Sequence, residues 1–308
     1  MLRVFLLIVV GLAGDPEHGK AFEKWGASMA AAADRLGVER EHVVLLGETG
    51  EGQSRPNGRA TKEQIEKAFE TLSKSATADD VVFVTLIGHG SFDGSDAKFN
   101  LPGPDLSAKE FNAMLRRLPT RQIVFVDTTS ASGPFIEELS SPGRTIVTAT
   151  RNGAERYATL FGGYFVDALT AEAADADKNK RISVLEAFRY AKGEVARAYE
   201  REGLLATEHA VLDDNGDKQG SADPAPTAAD GKLAASLSVG STEAAVPLPS
   251  DPKLRALVLE QRDMERRVEA LRLLKDSMEP ARYQTELERL VTELALKTRE
   301  IRNLQGGR

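Results

Sequence analysis

The chain has 308 residues, 41% hydrophobic and 28% charged, a balance that supports one large or two small globular domains and excludes a chain that is disordered or membrane-spanning as a whole. Its net charge of −7 offers no overall attraction for nucleic acid or anionic membrane, a local patch aside, so nucleic acid is not an expected partner. Cysteine is absent, which removes disulfides, thiolate-ligated metal and a thiolate nucleophile.

The apolar run from Val4 to Gly14, behind Met1-Leu2-Arg3, has two readings, a short export signal or a buried β-strand. It is far shorter than the ~20 residues of a membrane helix, and its β-branched centre and Gly-Asp-Pro ending favour the strand. From Leu2 to about Tyr199, strand-like runs at 3–12, 43–47, 81–87, 122–127 and 144–150 alternate with helix-period stretches at 17–36, 61–75, 107–118, 134–139, 157–171 and 183–202. Such alternation predicts an α/β fold, a mostly parallel sheet with helices on both faces. Ligands of open parallel sheets gather at the carboxyl ends of the strands, so chemistry is expected in the residues after Ile87, Val126 and Thr150.

Residues 216–251 are rich in Ala, Ser, Gly, Pro and Asp and read as a linker with one docking strand at Leu233–Val239. Beyond them, apolar residues recur at alternating three- and four-residue spacings from Leu254 to Met278, with Lys275 on the same seam, and again from Tyr283 to Leu304. Pro280 suits the first turn of a second helix. The pattern predicts an α-helical hairpin, or coiled coil, over 252–308 that is available for self-association. The expected domains are therefore 1–215, 216–251 and 252–308.

Two strand ends carry chemistry. The run Val81 to Ile87 ends in Gly88-His89-Gly90-Ser91, which exposes an imidazole between two glycines. The next run ends in Asp127-Thr128-Thr129-Ser130-Ala131-Ser132-Gly133, a turn rich in hydroxyls. Adjacent parallel strands with these endings bring a base and a nucleophile to one edge. Together the two motifs resemble the caspase-like fold of clan CD cysteine peptidases, and the legumain-type family in particular, over approximately residues 3–215. The resemblance implies that His89 matches the catalytic histidine and that Ser132-Gly133 match the Ser-Gly after the nucleophile. Counting back from Ser-Gly puts Ser130 in the cysteine's place, whereas counting forward from Asp127 puts Thr129 there. Either register lacks the thiol, and a hydroxyl needs a well-aligned base to attack a carbonyl. The resemblance further implies an oxyanion hole from the backbone near Gly90 and Ser130, and pocket charges at Arg151 and Glu155 after the fifth strand. A solvated loop with a local ion pair is the alternative for Arg151 and Glu155.

A second signal lies at 175–186. Asp175, Asp177, Asn179, the Arg181 carbonyl, Ser183 and Glu186 fall at loop positions one, three, five, seven, nine and twelve of an EF-hand calcium loop. Lys180 stands where that loop needs glycine, so weak Ca²⁺ binding is expected; an N-capped acidic loop is the alternative. Asp213-Asp214-Asn215-Gly216-Asp217 has the early ligands without the closing glutamate, and Glu208-His209 is assigned to packing.

The leading expectation is a catalytically degenerate peptidase homologue that binds a peptide or protein at the strand edge and assembles through its terminal helices. The competing expectations are a hydrolase with a Ser130-His89 dyad and a calcium-stabilised interaction protein. The family resemblance implies export to the periplasm or outside the cell.

Overall fold

The computed structural model describes residues 3–48, 56–240, 249, 251–273 and 278–306. Strands β1 (Val4–Val10), β2 (Val43–Leu46), β3 (Val81–Ile87), β7 (Gln122–Asp127), β8 (Arg144–Thr148) and β9 (Val211–Asp213) form one sheet in the order β2-β1-β3-β7-β8-β9. All pairings are parallel except β8 with β9. Every residue of β3 is buried, because helices cover both faces and leave no solvated side.

On one face, Leu6, Ile8 and Phe83 pack with Phe22 and Met29 of α1 (Pro16–Arg35), Phe161 and Phe165 of α5 (Phe161–Ala168) and Phe188 of α6 (Val184–Glu202). On the other, Phe5, Val84 and Phe125 pack with Ile65 and Phe69 of α2 (Lys62–Ser75), Phe111 of α3 (Ala108–Leu115) and Phe135 of α4 (Phe135–Leu139). The alternation of inward faces along each strand follows from the two-residue period of the pleat. Helix starts are specified locally: Asp15 accepts from the Glu17 and His18 N–H groups, Thr61 from Gln64, and Ser107 and Ser183 each form a capping box with Glu110 and Glu186.

Strand order reverses at β1, with β2 on one side and β3 on the other, so a crevice opens at the carboxyl ends of β1 and β3. Directly beyond β3 the chain forms a small antiparallel sheet of β4 (Gly90–Phe92), β5 (Ala97–Phe99) and β6 (Leu106–Ser107), which the sequence pattern did not predict.

The reading of 216–251 as linker needs correction for its first part. Leu237 and Val239 are buried in the first core, α7 (Lys232–Ser236) forms where a docking strand was expected, and Asp214 accepts from the Gly231 and Ala234 N–H groups. Small residues made this segment look solvated, yet they let it pack closely; one compact unit runs from Leu2 to Ala245. The extended element there is an isolated bridge of Ser238 to Ser183.

A second unit, 246–308, contains α8 (Pro252–Leu273) and α9 (Pro280–Gly306). The helices run antiparallel, with Lys297 Nζ 2.7 Å from Glu260 Oε2 and Gln261 Nε2 donating to Thr298 Oγ1 at 3.3 Å. Val268, Leu271 and Leu290 form the buried seam, flanked by Met278, Tyr283, Leu287 and Leu294. Of the expected seam, Lys275 lies outside the described residues. No helix among the described residues is long and apolar enough to cross a membrane.

Candidate active site

Parallel pairing of Leu86 with Asp127 brings the turns after β3 and β7 side by side. Gly90 is the point of contact: its N–H faces Ser130 Oγ at 3.4 Å, and its carbonyl accepts from Ser130 Oγ at 3.2 Å. Ser130 and Thr129 are both buried. Thr129 Oγ1 donates to the Ser130 carbonyl at 3.2 Å. The Ser130 hydroxyl thus faces a backbone carbonyl, which cannot act as a base, while the Thr129 hydroxyl lies between the Ser130 carbonyl and the Asp127 carboxyl.

His89 is half-buried and points elsewhere. Its Nε2 lies 2.9 Å from the Ala13 carbonyl, and its ring packs edge-on against Phe22 and His18 at centroid distances of 5.2 and 5.1 Å. A carbonyl only accepts, so Nε2 carries the hydrogen and Nδ1 the lone pair. Burial holds the imidazole below its ordinary value, the Ala13 carbonyl acting in the opposite sense. Among the described residues no hydrogen bond links this ring to Ser130 or Thr129. The dyad expected from the sequence thus has its two members on neighbouring turns without the contact that would make one the base of the other.

The turn after β7 is held from behind. Asp127 is fully buried; its Oδ1 accepts from the Thr129 N–H at 3.0 Å, its Oδ2 has no partner, and burial pushes the carboxyl up to about 7. Ala131 adopts a left-handed φ of 54° and donates its N–H to the Glu155 carbonyl at 2.7 Å. Ser132 Oγ and the Gly133 N–H both meet Thr150 Oγ1, at 3.1 and 3.0 Å, which ties the turn to the end of β8.

Arg151 and Glu155 lie next to this turn. Arg151 Nε is 3.1 Å from Glu155 Oε1, and the same carboxylate receives the His209 N–H at 3.0 Å and sits 2.8 Å from His209 Nδ1. The ion pair of the alternative reading is therefore present, and Glu155 meets the turn after β7 through its carbonyl, which accepts from the Ala131 N–H. His209, assigned to packing from the sequence, is a partner of Glu155. Glu208 is more than filler as well: it accepts from the Leu160 and Phe161 N–H groups at the start of α5, and burial raises its carboxyl. Nothing local in the sequence marked either role, since both depend on 208–209 crossing to a loop some 50 residues earlier.

Residues 61–212 match the model of the Peptidase C13 family. The chain thus resembles the legumain-type peptidases, and it contains no cysteine. His89, Ser130, Thr129, Arg151 and Glu155 all lie inside the Peptidase C13 segment; β1, α1 and the helical hairpin lie outside it. No curated protein matches the chain. Among solved structures, one from Geobacter sulfurreducens is similar at 15% identity and a TM-score of 0.44, covering 68% of this chain and 92% of that one.

The 175–186 loop is also inside the Peptidase C13 segment. Asp175 accepts from the Asn179 and Lys180 N–H groups at 3.0 and 2.8 Å, and Asn179 Oδ1 accepts from Arg181 at 2.8 Å. Glu186 Oε1 accepts from Ala176 at 3.0 Å, while its Oε2 receives the Ser183 N–H and hydroxyl. Oxygens of Asp175, Asp177 and Glu186 lie within 4.8 Å of one another. Lys180 has φ of 64°, so it adopts the left-handed turn for which the sequence offered no glycine.

Proposed function

We propose that this protein is a catalytically degenerate legumain-type homologue, a peptide-binding module rather than a peptidase. The observation that supports this most directly is the hydrogen bonding of the two expected partners: Ser130 Oγ donates to the Gly90 carbonyl, and His89 Nε2 is committed to Ala13. Without an aligned base the hydroxyl stays protonated and attack on a carbonyl is slow. Binding does not need that base. The Gly90 N–H keeps only a long contact to Ser130 Oγ, and the Ser130 N–H has no acceptor among the described residues, so two donors at one edge can hold a peptide carbonyl.

Hydrolysis of a mixed peptide library by the purified chain tests the reading. Turnover should not exceed that of Ser130→Ala or His89→Ala, while peptide binding measured by fluorescence anisotropy persists. Cleavage that is lost in both variants would establish a Ser-His hydrolase in its place.

The left-handed Lys180 supports a second, compatible role for Ca²⁺ on the 175–186 loop. Millimolar Ca²⁺ is expected to raise the melting temperature of the wild type and not of Asp175→Asn, and Lys180→Gly should tighten binding by removing both a strained side chain and a neighbouring positive charge. An identical melting curve with millimolar Ca²⁺ and with chelator would remove this role.

A further inference from the structure

At the amino end of β8, on the sheet edge opposite the turns of His89 and Ser130, a cavity of about 260 Å³ is lined by Arg144, Asn112, Arg116, Lys218, Ser140 and Ser141. Arg144 is buried, at 7% exposure, and its Nη1 donates to Asn112 Oδ1 at 2.9 Å and to the Leu139 carbonyl at 2.8 Å. These two acceptors use both hydrogens of Nη1 and fix the plane of the guanidinium. The Nε and Nη2 hydrogens find no acceptor among the described residues, and neither nitrogen is sealed inside the protein. That is the edge with which arginine grips a carboxylate or phosphate in bidentate fashion.

The charge is also unbalanced. Guanidinium does not deprotonate in proteins, and a buried unpaired cation is costly. Among the described residues no carboxylate forms an ion pair with Arg144, and its charged neighbour is a second cation, Arg116. Lys218 and Arg116 likewise have no ion-pair partner among the described residues. Ser140 Oγ accepts from the Lys218 N–H at 3.0 Å, which leaves its own proton for a ligand. The two remaining lining residues, exposed Glu137 and half-buried Glu138, are acidic, so three cations against two acids suit a small oxyanion and not a polyanion.

We propose that this cavity is an oxyanion site, in which the Nε–Nη2 edge of Arg144 grips a phosphate or carboxylate group and Arg116, Lys218 and Ser140 complete its shell. It is separate from the peptide edge and stands whether or not that edge binds peptide.

Calorimetric titration of the full chain with inorganic phosphate, and separately with acetate, at constant ionic strength set by chloride, tests it. Saturable binding of at least one anion is expected, and which one binds tells phosphate from carboxylate chemistry. Arg116→Ala and Lys218→Ala, both on exposed side chains, should each weaken it about tenfold, and Arg144→Gln should abolish it. If Arg144→Gln fails to fold by circular dichroism, the two surface variants decide. No saturable heat with either anion up to about 20 mM, or equal affinity in the surface variants and the wild type, would overturn the proposal.

Discussion

Gly90→Ala is expected to destabilise the protein by about 3 kcal/mol, lowering its melting temperature by roughly 6 to 10 °C. A Cβ at this position would lie 2.4 Å from the Ser130 carbonyl oxygen, 2.6 Å from Thr129 Oγ1 and 3.3 Å from the Lys98 carbonyl. Two of these atoms are backbone, from the turn after β7 and from β5, and backbone yields less readily than the end of a side chain. The turn after β7 would have to withdraw, yet Ser132 and Gly133 tie it to Thr150 and Ala131 ties it to Glu155. The strain must therefore spread through three strand ends, and the loss should be several times that of a surface change. Gly19→Ala supplies the control. Its Cβ would meet only Ala13 Cβ at 3.6 Å, inside α1, and replacing a helical glycine there should stabilise by about 0.5 to 1 kcal/mol. Thermal melts of the two variants beside the wild type decide it: a Gly90→Ala melt within a degree or two of wild type would mean that the two turns are not in the contact described.

Much of the sheet was legible because its strands are buried on both faces and so read as unbroken apolar runs. Val81–Ile87 and Gln122–Asp127 lie where the sequence pattern predicts them. What the pattern missed is short or polar. β9 has three residues beside a run of aspartates, and β4 to β6 have three, three and two, too few for a two-residue period to emerge. The pattern puts the first helix turn after β8 at 157, whereas α5 starts at Phe161, because that start is capped by Glu208 from a remote segment and not by a residue of its own. The site divides in the same way. That His89 and Ser130 reach the same edge follows from strand order and is readable. That they fail to meet is not, because the imidazole is turned by the Ala13 carbonyl, Phe22 and His18, all contributed by the β1 side of the crevice. Lys180 gives the converse lesson: a residue ill-suited to a left-handed turn nevertheless occupies one, since Asp175 and Asn179 accept from the N–H groups of residues 179 to 181 and hold the loop.

Asp127 should make stability fall as pH rises from about 4 to 7. In the unfolded chain an aspartate titrates near 3.9, whereas burial pushes the native Asp127 carboxyl up to about 7. Below pH 4 both states hold the proton and the group contributes nothing. Between the two values the unfolded chain releases its proton while the native state keeps it, so the unfolded state binds fewer protons and gains on the native one. Above 7 the penalty is complete, on the order of 4 kcal/mol at 1.36 kcal/mol per unit. Asp127→Asn retains an oxygen for the Thr129 N–H, now accepted by Oδ1 at 3.0 Å, and removes the ionisation. The variant should therefore match the wild type at pH 4 and exceed it by a few kcal/mol at pH 8, measured by urea unfolding at each pH. The difference between the two curves is the informative quantity. Glu208 and Asp230 are also raised by burial, Asp230 to about 6, and tilt both curves alike. Parallel curves would mean that Asp127 ionises freely in the native protein, with a cation or water reaching its unpartnered Oδ2. A widening gap would mean that the chain holds a neutral acid at the end of β7, two residues before Thr129, with its unpartnered Oδ2 kept from solvent and cation alike.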